Sequence, residues 1–247
     1  MIFTLARKEL RSLFAMPSTW FLLGGLQFIF AWFFLLRLND FLQIQAQFAQ
    51  IANAPGATQA VVAPVFVTLG LILLMLVPMF TMRLLAEERR NQTLTLLLTA
   101  PVSELQIVLG KFIGLLLFLL LVITGCTLMV LTLAMGTHLD MGLLLCNALG
   151  LVLLVTAYAA LGLYASSLTA QPAIAAISSL AVLFGLLLLE VSVTDSNNLW
   201  RALTPTSHFH SFNVGLFNST DLVYFVLFSG VFLALTVRRL RNNRLYG

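Results

Sequence analysis

Charge is the scarcest property of this sequence. Of its 247 residues only 9% are Asp, Glu, Lys or Arg, against about a quarter in a soluble domain, so the chain lacks the polar surface needed to face water on all sides. Cysteine is nearly missing as well. Cys126 and Cys146 are the only two and both fall in apolar stretches, which argues against a disulfide framework and leaves them as small hydrophobes. Proline is sparse, and Pro78 is the main interruption of an apolar run. The three histidines, His138, His208 and His210, lie outside those runs. An intramembrane enzyme would need clustered Ser/His/Asp or metal ligands within them, so catalysis is disfavoured. No cleavable leader is expected either. Arg7, Lys8 and Arg11 resemble a charged leader region, but a full-length apolar run without a small-residue cleavage site follows them.

What the chain does have is long apolar runs, with 60% hydrophobic residues and a mean hydropathy of +1.02. Six are long enough to cross a membrane, at about 20–36, 64–82, 109–135, 141–166, 172–191 and 222–237. A span needs roughly 20 apolar residues, and only helices or closed barrels satisfy their own backbone in hydrocarbon. These runs are continuous rather than alternating over about ten residues, so helices are expected. The predicted fold is an all-α integral membrane protein, a single transmembrane domain over 1–247.

The basic residues predict its orientation. With six spans both termini share one side, and that side carries Arg7, Lys8, Arg11, Arg83, Arg89, Arg90, Lys111, Arg238, Arg239, Arg241 and Arg244, leaving Arg37 and Arg201 for the other. The positive-inside rule then puts both termini in the cytoplasm of a bacterial inner membrane. Anionic lipid accounts for the net charge of +4, and no nucleic-acid partner is needed.

Three segments outside the spans have their own pattern. At the N-terminus Ile2, Leu5, Ala6, Leu10, Leu13 and Phe14 recur at helical spacing with Arg7, Lys8 and Arg11 among them, which predicts an interfacial amphipathic helix over 1–18. After Arg37, Phe41, Ile44, Phe48 and Ile51 predict a short outer helix ending near Asn53-Ala54-Pro55-Gly56. The outer-side segment at 192–221 is aromatic, with Trp200, Phe209, Phe212 and Phe217, as suits the membrane interface. It suggests short helices dipping partly into the membrane. A metal pair at His208 and His210 is the less favoured reading, because no further ligand stands close in sequence. Glu190, near the outer end of the fifth span, is the one acid clearly within an apolar run. With His208 it is a candidate for the pathway or outer side, and a hydrogen-bonded structural role is equally compatible.

The loop at 83–108 is the most informative segment. Glu87, Glu88, Arg89 and Arg90 open it, a leucine-rich stretch follows, and Pro101 closes it before Ser103 and Glu104 start the next helix. It is too amphipathic for a mere connector and predicts a docking element for a soluble partner. The plainer reading of the charged start alone is a solvated membrane flank. Gly110 and Gly114 likewise form a small-xxx-small pair of a kind common in spans.

On Glu87, Glu88, Thr93, Leu94, Leu96, Leu97, Leu98, Pro101, Val102, Ser103, Gly110 and Lys111 the sequence resembles the permease subunits of ABC-2-type transporters. Those carry Glu-Glu and basic residues, then Gly-Thr-Leu-Glu-Leu-Leu-Leu, a small residue, Pro-Val-Ser and later Gly-Lys. Two positions depart, Gln92 where Gly is usual and Thr95 where Glu is usual. The resemblance runs the length of the chain, from Arg7-Lys8-Glu9-Leu10 to Pro205–Phe209 and Asp221–Phe225. It looks most like the gliding-motility and nitrous-oxide-reductase-maturation branches.

The resemblance implies a complex. Two permeases, identical or related, pair in the membrane, and each docks one of two cytosolic ATPase subunits through a coupling helix between spans 2 and 3. Coupling falls to Glu87, Glu88, Arg89, Arg90, Thr93, Leu97 and Pro101, with Arg7, Lys8 and Arg11 on the interfacial helix. ATP and Mg would bind the separate ATPase, so this chain is expected to hold no cofactor and no metal and to be no enzyme. Lys111 is followed by Phe112, and Leu105 takes the place of a first Walker glycine, so no phosphate-binding loop forms. Export is the implied activity. Mechanotransmission to an outer-side auxiliary protein and secondary transport are the alternatives, though a secondary transporter should show several buried charges or broken helices in a repeat.

Overall fold

The computed structural model describes residues 1–48, 56, 58–93, 102–137, 139–192 and 202–246, with backbone alone at 44–48 and 243–246. Helix is the one regular structure among those residues, with no strand among them. We label the helices α1 (Ile2–Ala15), α2 (Pro17–Phe48), α3 (Ala63–Met82), α4 (Glu104–Leu131), α5 (Met141–Leu168), α6 (Pro172–Ser192), α7 (Pro205–Asn213) and α8 (Ser219–Tyr246). Among the described residues six helical segments are long and apolar enough to cross a membrane, at Pro17–Gln43, Thr58–Arg90, Glu104–Met135, Met141–Leu168, Pro172–Ser192 and Ser219–Asn242.

Local chemistry explains where the helices begin. Pro17, Pro172 and Pro205 each stand first in their helix, where a missing N–H costs nothing because no helical acceptor exists there. Ser103 opens α4 with a capping box: its Oγ accepts from the Gln106 N–H and Gln106 Oε1 accepts from the Ser103 N–H, both at 3.3 Å. Asp140 opens α5 by accepting from the N–H groups of Gly142 and Leu143.

Two helices run further than the sequence pattern implies. The segment after Arg37 does not start a separate outer helix, because α2 continues unbroken to Phe48. Between Arg37 and Phe48 there is no Gly or Pro to end it, and polarity alone does not break a helix. The second span likewise continues past Met82 through Arg90. The end of the expected outer helix, from residue 49 to 55, lies outside the described residues.

Burial divides the bundle into centre and rim. In the most apolar stretch of each span, 61% of residues are buried for α5 and 56% for α3, against 17% for α2 and α6. The central helix α5 is rich in small residues, among them Ala157, Ala159, Ala160, Gly162, Ala165 and Ser166, all buried. In a membrane, where lipid is as apolar as leucine, close approach through small residues holds helices together. Phe21, Ile29, Ile177 and Leu227 on the rim are exposed and face the hydrocarbon.

The helix α1 turns away from α2 at Met16, whose backbone is extended (φ −82°, ψ 122°). The elbow is fixed by Trp20, whose indole N–H donates to the Phe14 carbonyl at 2.9 Å. Ala6 and Leu13 are buried while Arg7, Lys8 and Arg11 are exposed, so α1 is amphipathic and packs its apolar face on α4.

Candidate functional site

Interest centres on the basic end of the bundle, where α3 leaves the core. Pro78 lacks an N–H and interrupts the ladder of α3, and Thr81 Oγ donates to its carbonyl at 3.2 Å. Beyond Met82 the helix widens into a π-turn, Arg83–Glu87, and tightens again over Glu88–Arg90. Single π-turns are often found at functional sites, and this one is braced from α5. The buried Ser166 Oγ accepts from the N–H groups of Leu85 and Ala86 at 3.2 and 3.0 Å, and donates to the Met82 carbonyl at 3.0 Å. The directions in which Glu87 and Glu88 project are therefore set by the central helix.

The helix then stops at a left-handed residue. Gln92 has φ 58°, its N–H bonds the Arg89 carbonyl at 3.2 Å, and Thr93 Oγ donates to the Glu88 carbonyl at 3.2 Å. A left-handed residue just past a helix is normally Gly. This explains why Gly is usual in the pattern that Gln92 departs from.

Lys111 joins three elements at this end. It sits two turns into α4, its side chain is 2% exposed, and its Nζ lies 2.8 Å from both Glu9 Oε1 of α1 and Glu88 Oε1 beyond the π-turn. The approach of α1 depends on the glycines beside it. A Cβ on Gly110 would stand 2.6 Å from Leu5 Cβ, and one on Gly114 would stand 2.8 Å from the Ala6 carbonyl oxygen. Gly110 and Gly114 thus form the seat of α1, with Lys111 presenting its ammonium to that helix and to the end of α3. Two carboxylates share one ammonium, and Glu88 Oε2 is buried with no hydrogen-bond partner among the described residues. Breaking a buried charge pair typically costs about 3–5 kcal/mol, so the cluster is a stiff joint.

The residues singled out from sequence divide around this joint. Glu88 is part of it. Glu87, Arg89 and Arg90 line an adjacent cavity, and the Arg89 guanidinium donates to the Ser167 carbonyl at 3.3 Å. Thr93 caps the helix end. Arg7, Lys8 and Arg11 ride the exposed face of α1, while Leu97 and Pro101 lie outside the described residues. Sequence reasoning missed Glu9 and Ser166, and treated Lys111 only as part of a motif. A signal was present for the ion pairs: Lys111 is the one charged residue between positions 105 and 137, and Glu9 is the one acid in α1.

The opposite end holds a second polar constellation. His208 of α7 places Nδ1 2.5 Å from Asp221 Oδ1 and Nε2 2.9 Å from the Ala202 carbonyl, and its ring stacks on Tyr224 at 4.0 Å. Both ring nitrogens thus stand at hydrogen-bond distance from oxygens. Tyr224 in turn donates to the Leu203 carbonyl at 2.6 Å. Asn213 closes α7 onto the core by donating to the Ala63 carbonyl and to Asn147 Oδ1, at 2.8 and 2.7 Å. Glu190 accepts from Thr206 Oγ and, with His210, lines a mostly apolar cavity of about 420 Å³. The two histidines therefore point to different surroundings. Among the described residues no three His, Cys, Asp or Glu side chains are grouped to hold a metal.

Among the described residues the basic end thus combines ion pairs with a braced π-turn at the edge of a bundle of apolar helices. No curated protein matches the sequence. The family model for the ABC-2 family transporter protein matches residues 3–243, nearly the whole chain, and the protein is a member of that family.

Proposed function

We propose that this chain is the permease subunit of an ATP-binding-cassette exporter in the bacterial inner membrane, driven by two copies of a separate cytosolic ATPase. A second permease copy or paralogue completes the membrane pathway, and the basic end of the bundle faces the cytoplasm. The family, the six apolar helices and the charge asymmetry support this reading. The observation that carries it is the Lys111 joint. The ATPase would dock on the segment after Glu88, where the coupling helix with Leu97 and Pro101 is expected. Any displacement of that segment then pulls on Glu88, which is tied through Lys111 to α4 and through Glu9 to α1. Ser166 passes the same displacement to α5, the centre of the bundle. Closure of the ATPases would so be delivered to three helices at once, and the pathway between paired permeases would open outward. The likeness of the Pro205–Phe225 region to gliding-motility and nitrous-oxide-reductase-maturation permeases supports a place near those branches.

Co-purification tests this hypothesis. The tagged chain, gently solubilised, should bring down a stoichiometric ATPase. Charge reversal of Glu87 and Glu88 together should release that ATPase while the permease remains inserted. A chain that emerges alone in every detergent, or an ATPase held equally well by the reversed variant, would overturn the assignment. Orientation is tested separately with Asn218→Cys and Asn242→Cys in a background free of Cys126 and Cys146. An impermeant thiol reagent on intact cells should label the first, and labelling of the second would invert the topology.

A further inference from the structure

At the basic end, beside the Lys111 joint but distinct from it, lies a cavity of about 1040 Å³. It is bounded on one side by the turn that ends the second span and on the other by Ala170, Gln171, Pro172 and Ala173, which lead into α6. Three guanidiniums, Arg83, Arg89 and Arg90, line it against a single carboxylate, Glu87. Among the described residues none of the three arginines lies within ion-pair distance of a carboxylate. Arg83 and Arg89 are steadied by other means, Arg83 on Met16 Sδ and Ser18 Oγ at 3.0 and 3.4 Å, and Arg89 on the Ser167 carbonyl.

Two further features point to the kind of ligand. The cavity stands where α6 begins its apolar run, so it lies at the depth of lipid headgroups. Ile177, one helical turn beyond Ala173 on the same face, is 69% exposed, and Ile174 beside it is 50% exposed. A polar, cationic hollow therefore continues directly into hydrocarbon-facing surface. Guanidinium groups bind phosphate through paired charge-assisted hydrogen bonds, and basic hollows between spans are suited to anionic headgroups.

We propose that this cavity is a binding site for the phosphate of an anionic phospholipid, held by Arg83, Arg89 and Arg90, with the acyl chains lying along the exposed face of α6. A free phosphate would meet the same guanidiniums but would leave Ile174 and Ile177 without a role, which favours the lipid. This site does not depend on the chain's being driven by an ATPase, since the permease alone contains every residue invoked.

The test is lipid retention by the purified full-length protein, measured by native mass spectrometry in detergent with phosphatidylglycerol or phosphatidylcholine added. Wild type should hold phosphatidylglycerol in preference to phosphatidylcholine. Arg89→Gln with Arg90→Gln should lower that retention by about tenfold or more, as expected for removing charge-assisted bonds. Arg90→Glu alone, at an exposed residue, should act in the same direction if the double variant proves unstable. Arg238→Gln with Arg239→Gln, exposed at the same end but outside the cavity, should leave retention unchanged. Equal loss in that control, or no loss in the cavity variants, would overturn the site. Displacement of the lipid by millimolar inorganic phosphate at constant ionic strength would assign the cavity to free phosphate instead. Unchanged lipid retention with loss of a co-purifying protein would make it a protein-docking surface.

Discussion

Lys111→Met is the most informative single change, because the side chain it replaces is similar in length and only the charge is lost. Without the ammonium, Glu9 Oε1 and Glu88 Oε1, each now 2.8 Å from Nζ, would face each other at no more than twice that distance. At an effective dielectric constant of about 20, two unit charges about 5 Å apart repel by roughly 3 kcal/mol. Their joint loss of a buried partner puts the destabilisation at about 3–5 kcal/mol. That is on the order of 10 °C in thermal midpoint for a chain of this size. The burden falls on α1, which is held to α4 by this cluster, by the glycine seat and by apolar contacts such as Phe14 on Phe118.

The assay is thermal unfolding in detergent, followed by tryptophan fluorescence, for Lys111→Met and for a neutral set that adds Glu9→Gln and Glu88→Gln. The single variant should be the least stable. The neutral set should recover most of the loss, because amides in place of carboxylates remove the repulsion while keeping hydrogen-bonding capacity. Trp20, whose indole bonds the Phe14 carbonyl at the elbow, should report the release of α1 directly. A single variant as stable as wild type, or a neutral set no better than the single variant, would refute the reasoning. The first result would mean that the charges are not coupled, and the second that the loss is one of packing.

Other expectations follow from the same geometry. Gly114→Val should push α1 off its seat, since even a Cβ there meets the Ala6 carbonyl at 2.8 Å; a cysteine placed at Ser12 should become more reactive to a soluble thiol reagent. Ser166→Ala leaves the buried N–H groups of Leu85 and Ala86 without their acceptor, costing about 1–3 kcal/mol, and should weaken ATPase co-purification without touching the docking segment. Gln92→Gly should be tolerated and Gln92→Val should not, as read by thermal midpoint, because β-branched residues resist φ 58°. His208→Phe keeps a ring to stack on Tyr224 but leaves Asp221 buried and unpaired. It should lower the midpoint, and adding Asp221→Asn should restore part of it.

What was legible in the sequence was whatever depends on long stretches of one character. Apolar runs fix the all-helical membrane fold, and the family follows from a contiguous motif. Boundaries were less legible where the signal is the absence of a breaker. Nothing between Arg37 and Phe48 stops a helix, so α2 runs through a polar stretch that looked like a new element. The site was legible only in its local half. Glu88 and Thr93 sit in one motif, but their partners come from elsewhere in the chain: Glu9 and Glu88 meet at Lys111, 102 and 23 residues away. Ser166 is one of several serines in apolar surroundings, and nothing local marks it as the brace of a π-turn 80 residues earlier.

The charges that survive in this nearly uncharged bundle carry a common logic. A lone charge inside a span is costly unless it is paired, so each must either reach the membrane surface or find a partner on another helix. Lys111 takes the second course, and in doing so it converts an electrostatic necessity into a mechanical link. Because the penalty for separating it from Glu9 and Glu88 is several times thermal energy, motion of any one of the three elements moves the others before it breaks the contact. Thermal energy is about 0.6 kcal/mol, against about 3–5 kcal/mol for breaking a buried pair. Glu88 Oε2 is buried with no hydrogen-bond partner among the described residues, so the hold of Glu88 on the joint rests on the contact of Oε1 with Lys111 Nζ. On that reasoning Glu88→Gln should weaken coupling even where the ATPase still binds, whereas loss of docking alone would leave the stability of α1 unaltered.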